Sequence, residues 1–568
     1  MTALLVVAVL LPLGLAAASL VAALRPLVLR VAPWSTAPAA VLAAFAGAAD
    51  VRWLLLGVRL DDEDRTTRGF LAFTAVVWLF AGWFARTYVA ASAHRDSFWF
   101  FFLTAAGANV GVVLAHDVAT FYVFYALMTF TAYGLVLHAR SDEARRAGRV
   151  YLATALVAET MLLTAFVLVA RDGVNIPLAD VPRVLAESPD RDAILALVLA
   201  GFGVKAGAVP VHFWLPLAHP VAPAPASAVL SGSIIKAGLL GWLRFLPLGV
   251  AALPTHGLAC ACVGLLSAFY GAAVGSTQTN PKTVLAYSSV SQMGFATATL
   301  GAGLMDPAAA DAATAAILLF ATHHAFAKTS LFLGVSVAAE AGRGWPRRLV
   351  TIGLAGAALA IVGAPLSSGA LAKTALTGAV AHAPIGAQLV GPALSVAAVG
   401  STLLMLRFLG LTIPRRTEPR RSPSAGLWVP WALLLAFTVV FFFVIALRAH
   451  ALRALATPSA IGAAAWPVGA GAALAWIASR AGRRGATLPK IPAGDVVVVV
   501  EAAARRAGAA VSLTQRAAAP LVRAIQPRSP RDLFSVMPFE SVERGLGRFE
   551  VLAALTLLVL VLVWLTLP

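Results

Sequence analysis

The chain has 568 residues, 60% of them hydrophobic and only 12% charged, and its mean hydropathy is +0.86. A soluble domain carries about a quarter charged residues, so this composition excludes a water-soluble globular protein and predicts an all-α polytopic membrane protein. The net charge of +18 does not point to nucleic acid, because the basic residues sit in short loops between apolar segments, as the positive-inside rule produces. The two cysteines, Cys260 and Cys262, are two apart in an apolar helix and point to different faces. Two cysteines cannot close a zinc or iron–sulfur site alone, so no metal or cofactor is expected.

Taken in chain order, apolar stretches long enough to cross the hydrocarbon lie near 3–24, 35–57, 69–91, 98–115, 117–138, 148–170, 192–210, 224–246, 253–275, 283–302, 312–338, 349–380, 388–411, 428–448, 457–479 and 549–567. At roughly 20 residues per crossing they predict about 16 transmembrane helices. Residues 3–24 lack a basic n-region and a small-residue cleavage site, and read as a span, not a removed signal peptide. The second span is the least secure, because 51–68 (VRWLLLGVRLDDEDRTTR) also reads as an extramembrane hairpin. Lys and Arg concentrate in 139–149, 342–348, 413–422 and 480–484, each after an odd-numbered span. Those loops are predicted to be cytoplasmic and both termini to lie outside. Residues 481–548 are Arg-rich with interleaved apolar residues, and predict an amphipathic helix on the cytoplasmic membrane surface, leading into a last span at 549–568.

Polar residues inside the apolar segments carry the functional reading. Glu159, in YLATALVAETMLLTAF, is a carboxylate centred in a span, and is expected to face the bundle and pair with a lysine. His116 and Asp117 lie at a span boundary and read as interfacial residues. Residues 201–244 place Lys205 and Lys236 in two apolar segments, around a run holding Pro210, Pro216, Pro220, Pro223 and Pro225. An ammonium at bilayer depth costs about 2.5–3.5 kcal/mol on insertion scales. A helix broken at that depth is tolerated only where protein or a water-filled cavity satisfies the freed backbone. Carbonyls freed at such a break are expected to solvate Lys205, which can then gain and lose a proton during turnover. His212 and His219 lie within the break as secondary candidates. Small residues around Lys236 allow close helix packing, and Arg244, near the span end, reads as an interfacial anchor.

In FATHHAFAKTSLFLG, His324 and Lys328 are four apart and share a helix face, while His323 points about 100° away. A histidine titrates near pH 6.5, so His324 suits a proton relay, with His323 secondary. No carboxylate lies nearby in the sequence, which argues against a metal site. Lys373 follows a Gly–Pro–Ser–Gly interruption in IVGAPLSSGALAKTALTGAV. Interrupted spans near 210 and 365, each with a buried lysine, point to an inverted repeat with a site at the midplane.

These runs resemble the antiporter-like subunits of respiratory complex I, of multisubunit cation/proton antiporters (D-type) and of membrane-bound hydrogenase or formate hydrogenlyase complexes. The residues that carry the resemblance are KAGAVPVHFWLPLAHPVAPAPASAVLSG (205–232), PKTVLAYSSVSQMG (281–294), HAFAKTSLFLG (324–334) and GAPLSSGALAK (363–373). The resemblance implies two inverted five-helix repeats (98–246 and 253–411), each with a broken helix. Around them it implies N-terminal helices (1–97), C-terminal helices (412–480), the lateral segment (481–548) and the last span (549–568). It implies that Lys205 is the central-axis lysine of the first half with Lys236 beside it, and that His324 and Lys328 link to Lys373. One position departs from the family. Ala126, in FYVFYALMTFTAYG, stands where the family has a glutamate that pairs with the broken-helix lysine. Glu159 in the next span is the expected replacement.

The function expected is translocation of protons, with Na+ as the alternative ion, by a membrane subunit of a multisubunit complex in the bacterial inner membrane. No nucleotide loop, cysteine cluster or haem motif is visible in the sequence. Other membrane subunits and a soluble redox or carbonic-anhydrase-like partner would therefore supply driving energy. The competing readings are energy coupling for inorganic-carbon uptake and a structural anchor with an inactive channel, which Ala126 motivates.

Overall fold

The computed structural model describes residues 1–499 except 46, 54–55, 62, 173–175, 385, 414–422, 449–450 and 485–490. The last span, most of the predicted lateral helix and most of loop 413–422 lie outside the described residues. The chain runs α1 (Thr2–Ser19), α2 (Arg25–Val31), α3 (Ala37–Phe45), a hairpin of β1 (Ala49–Trp53) and β2 (Leu56–Leu60), α4 (Arg65–Tyr88), α5 (Arg95–Leu114), α6 (Val118–Val136) and α7 (Asp142–Val169). It continues with α8 (Val181–Glu187), α9 (Arg191–Ala206), α10 (Trp214–Val221), α11 (Ala224–Val229), α12 (Lys236–Phe245), α13 (Pro254–Thr277), α14 (Pro281–Met305) and α15 (Ala310–Glu340). Then come α16 (Trp345–Val362), α17 (Ser368–Val380), α18 (Gly391–Thr412), α19 (Ala425–Arg448), α20 (Ala451–Leu455) and α21 (Pro458–Arg483). Among the described residues 13 helical stretches are long and apolar enough to cross a bilayer. The chain is a multi-pass membrane protein.

Helix starts follow local chemistry. Asp64, Asp117, Ser141, Asn280 and Ser367 each accept a backbone N–H at the first turn of α4, α6, α7, α14 and α17, which satisfies donors that have no partner within the helix. Asp117 is thus a cap. Its neighbour Thr120 also accepts the Gly57 N–H at 2.7 Å, which pins the hairpin to α6.

One expected span needs correction. The second is Ala22–Phe45, not 35–57. Residues 49–60 form the antiparallel hairpin, with Asp50 opposite Arg59 and Val51 opposite Val58. Asp50, Arg52, Arg59 and Asp61 would all be buried in lipid by a span here, and they pair with each other at the exposed edge instead. The stretch 349–380, by contrast, breaks where expected: α16 and α17 are separated at the Gly–Pro–Ser interruption.

The tightest helix pair is α13 against α14. A Cβ at Gly264 would meet Ala298 N and Gly294 O, and one at Gly301 would meet Gly257 O. Glycines seven apart keep one face of α13 bare, so the two backbones touch. On the same helix Cys260 is buried and Cys262 exposed, as their spacing predicted. The helix α14 is buried along nearly its whole length, although its serines and Gln292 make it among the more polar of the long helices. It stands in the middle of the bundle, and the functional site is built around it.

Candidate functional site

Both interruptions are built alike. The helix α9 ends at Gly207 (φ 77°), and the Ala208 N–H closes back on Gly203 O at 2.9 Å. The helix α16 ends at Gly363 (φ 86°), and the Ala364 N–H closes on Leu359 O at 3.0 Å. Each is a six-to-one closure that needs a left-handed residue, which glycine adopts without a Cβ clash. The chain then runs through 207–213 before α10, and through 363–367 before α17.

At the first break Lys205 is 5% exposed. Its ammonium donates to Thr129 Oγ1 at 2.7 Å and lies 5.2 Å and 5.8 Å from the rings of Tyr125 and Tyr151, close enough for cation–π attraction. The freed carbonyl of Val204 is taken by Trp214 Nε1 at 2.8 Å, so the expectation that freed carbonyls solvate Lys205 is corrected: the hydroxyl on α6 does so. Thr129 lies one turn beyond Ala126, on the same face of α6.

Glu159, 4% exposed on α7, faces the same cavity as Lys205. That cavity is about 10 Å³ and is lined also by Thr129, Tyr151, Ala155, Ala158, Val204 and Trp214, which is room for about one water. Neither carboxylate oxygen has a hydrogen-bond partner. No direct hydrogen bond or ion pair between Glu159 and a lysine is made among the described residues; Glu159 and Lys205 face each other across the cavity, and the bond to Lys205 is made by Thr129.

Lys236, fully buried, follows a π-helical turn at Leu230–Ile234. The widened turn frees Ser231 O, and the Lys236 ammonium donates to it. Ser231 Oγ meets Ser289 Oγ of α14 at 2.9 Å, and Ser289 Oγ bonds Leu285 O at 3.1 Å. Lys328 of α15, also fully buried, donates to the same Leu285 O at 2.7 Å and to Ser288 Oγ. Lys236, by way of the residue Ser231, and Lys328, directly, thus converge on one turn of α14. The next turn carries Gln292, whose Nε2 donates to Ser401 Oγ of α18 at 2.8 Å. Lys373 donates to Val362 O at 2.7 Å, a carbonyl freed at the second break, reaches Ser401 Oγ at 3.5 Å, and lies 4.9 Å from the Phe295 ring.

The histidines divide. His324 is fully buried, 6.0 Å from the Phe320 ring, with neither ring nitrogen hydrogen-bonded. His323 meets Ser368 Oγ at 2.8 Å, at the start of α17, and borders a cavity of about 10 Å³ with Thr438. His219 stacks on Phe332 at 4.5 Å. His212 lies in the first break beside Asp495. Arg244 is not an interfacial anchor: its guanidinium caps the end of α5, donating to Val112 O at 3.1 Å, Val113 O at 2.5 Å and Thr67 Oγ1 at 2.8 Å.

Sequence reading missed Thr129, the serine face of α14 with Gln292, Ser401, Asp495, and Asn109. The last accepts bonds from Trp78 Nε1 at 2.9 Å and Ser233 Oγ at 2.5 Å. A mid-span amide in an otherwise apolar α5 was the available signal for Asn109. Among the described residues no group of three or more His, Cys, Asp or Glu is placed to hold a metal ion.

Interrupted helices, each holding a buried lysine against a polar central helix, define a class of multi-pass membrane protein with a polar axis inside an apolar bundle. Residues 115–390 match the NADH:quinone oxidoreductase/Mrp antiporter transmembrane family, and the chain belongs to that family. NADH-quinone oxidoreductase subunit N of Rubrobacter xylanophilus is 30% identical over 335 residues, 57% of this chain and 68% of that one. Hydrogenase-4 component B of Escherichia coli is 32% identical over 244 residues, 41% of this chain and 36% of that one. A chain of the Mrp complex from Dietzia sp. shares the fold, with a TM-score of 0.70 at 24% identity, over 95% of this chain and 65% of that one. Other curated relatives are matched over 55% of their length, so the chain spans about half of them.

Proposed function

We propose that the chain is a proton-translocating membrane subunit of a multisubunit complex related to complex I. Lys205, Lys236, Lys328 and Lys373, with His324 between the last two, pass charge along the midplane. The observation that carries this reading is that two buried ammonium groups converge on one polar turn, Lys236 held by Ser231 O and Lys328 by Leu285 O, with the Ser231–Ser289 hydroxyl contact between them. Helix packing alone has no use for two ammonium groups around one turn, since each costs about 2.5–3.5 kcal/mol at that depth. Held so close, a proton on one opposes a proton on the other, which favours hopping over static charge. Ammonium donors repel a metal cation, and this favours H+ over Na+.

In the first half Glu159 takes the role of the carboxylate absent at Ala126. It acts on Lys205 through Thr129 and the water-sized cavity. The likeness to subunit N, to hydrogenase-4 component B and to the Mrp complex supports other membrane subunits as partners. A soluble redox or carbonic-anhydrase-like partner, or an opposing gradient, supplies the energy. Moving one charge against 100 mV costs about 2.3 kcal/mol. The two breaks belong to inverted repeats at 98–246 and 253–411. The host membrane is the bacterial inner membrane, with the termini outside and 481–548 on the cytoplasmic face. The second reading, an anchor with an inactive channel, is favoured by one observation: the Glu159 oxygens have no partner.

The test is proton flux in vesicles holding the whole complex, comparing wild type with Lys205→Ala, Lys373→Ala and Glu159→Gln. Flux falls at least tenfold in the two lysine variants if the relay carries protons. Unchanged flux in all three rejects translocation and leaves the anchor.

A further inference from the structure

After α21 the chain returns to the bundle at 491–499. Gln278 Nε2, at the end of α13, donates to Ile491 O at 3.0 Å. Gly494 (φ 72°) turns the chain, and residues 495–499 are helical. Asp495, 9% exposed, points into the bundle. Its Oδ2 accepts the Tyr270 hydroxyl, its Oδ1 accepts the Val496 N–H at 2.7 Å, and the same Oδ1 stands 3.6 Å from His212 Nε2. His212 has no exposed surface, and neither ring nitrogen has a hydrogen-bond partner. Ion pairs such as Arg25–Asp96 and Arg171–Asp190 lie out at the surface. The His212–Asp495 pair is buried, and the chain segments that meet in it are far apart in sequence.

We propose that Asp495 and Tyr270 position His212 as the proton-uptake group of the first broken helix, with 491–499 forming one wall of that site. The proposal rests on the proton-translocation reading. The Asp495 carboxylate stands beside Nε2 of an imidazole whose nitrogens have no other partner, so it is the group that orients the ring. Burial opposes charge on Asp495, but its contacts with His212, Tyr270 and the Val496 N–H outweigh it and hold the carboxyl below its usual value. The carboxylate therefore stays ionised beside the imidazole. The step is transfer from hydronium to the Nε2 lone pair, leaving water. Two further titratable groups face the pair, Tyr270 of α13 and Tyr287 of α14, with their rings 5.2 Å and 6.0 Å from the imidazole. Tyr270 lies about two turns inside the end of α13, or about 10 Å at 1.5 Å per residue. The site is thus at the mouth of the break that ends α9 at Lys205, and not at the loop surface.

The experiment measures proton flux against pH in vesicles holding the whole complex. Asp495→Asn keeps an acceptor for Tyr270 and removes the charge. The midpoint of the profile should move about one unit toward acid, and flux at neutral pH should drop about tenfold. Asp495→Glu should restore the midpoint, and Tyr270→Phe should shift it in the same direction by less. Protection of 491–499 against hydrogen exchange should fall in Asp495→Asn by no more than it falls in the wild type below the carboxylate range, with the segment still docked. An unchanged pH profile overturns the proposal, and so does loss of flux together with loss of exchange protection, because the segment is then only structural. If the wild-type complex moves no protons, the translocation reading fails on its own. Infrared titration then still decides the site: a carboxylate band that responds to pH, and is lost in both Asp495→Asn and His212→Gln, supports it, and its absence overturns it.

Discussion

Replacing Thr129 by valine isolates the contact that holds Lys205. The side chains are nearly equal in volume, so the change removes an oxygen and leaves the packing of α6 almost intact. That oxygen accepts the Lys205 ammonium at 2.7 Å and itself bonds Tyr125 O at 2.8 Å. A hydrogen bond to a charged group contributes about 1.5–3 kcal/mol. At about 1.4 kcal/mol per tenfold, its loss changes the occupancy of the docked, protonated lysine by roughly 10- to 150-fold. The cation–π contacts with Tyr125 and Tyr151 remain, so the lower part of that range is expected. Proton flux in complex-containing vesicles should fall by about tenfold in Thr129→Val, while Thr129→Ser, which keeps the hydroxyl, should stay within about twofold of wild type. Thermal unfolding of the purified complex separates a gating effect from a folding effect. If Thr129→Val pumps at the wild-type rate, Thr129 does not mediate between Glu159 and Lys205, and the account of the first half is wrong.

Three further outcomes follow from the geometry. Gln292→Leu cuts the 2.8 Å bond to Ser401 and so separates α14 from the hydroxyl that Lys373 reaches; flux should fall several-fold, and a wild-type rate would remove α14 from the path. Gly264→Leu drives a side chain into Ala298 N and Gly294 O, whereas Gly356→Leu meets open space. Overpacking costs about 1–3 kcal/mol or more, so the first should lower the unfolding midpoint and the second should not. Docking of 491–499 should depend on pH with a definite sign. The Asp495 carboxyl sits below its ordinary value of 3.8 in the fold, so its stabilisation is complete above that value and is lost as pH falls through the lower folded value. Opening of 491–499, read from hydrogen exchange relative to the free-peptide rate at each pH, should therefore be flat from neutrality down to the carboxylate range and rise only below it. A rise beginning near neutrality would contradict this.

The two breaks and their lysines were legible in the chain because their causes are local. Prolines cannot continue a helix, glycine caps it, and a lysine in an apolar run is conspicuous wherever it lands. The hairpin at 49–60 was legible as an alternative for the same reason, since alternating charge forbids a span. The partners were not legible. Thr129 is an ordinary threonine until α9 brings an ammonium to it, and Glu159 was expected to pair directly because nothing in its segment reveals the cavity that it shares with Lys205. The run AYSSVSQMG served as a fingerprint of the family, but its serines become a link only when Lys236 and Lys328 arrive from two sides of α14.

The amino-acid sequence by itself determined that this chain lives in a membrane, where its helices break, and which cations it buries, because hydropathy, proline and charge act at short range. Only the tertiary structure decided what satisfies each cation: a hydroxyl for Lys205, a π-turn carbonyl for Lys236, a shared carbonyl for Lys328 and a break-point carbonyl for Lys373. Hydrogen bonds form over about 3 Å between groups brought together by packing, and no short-range pattern in the chain encodes which distant helix will supply them.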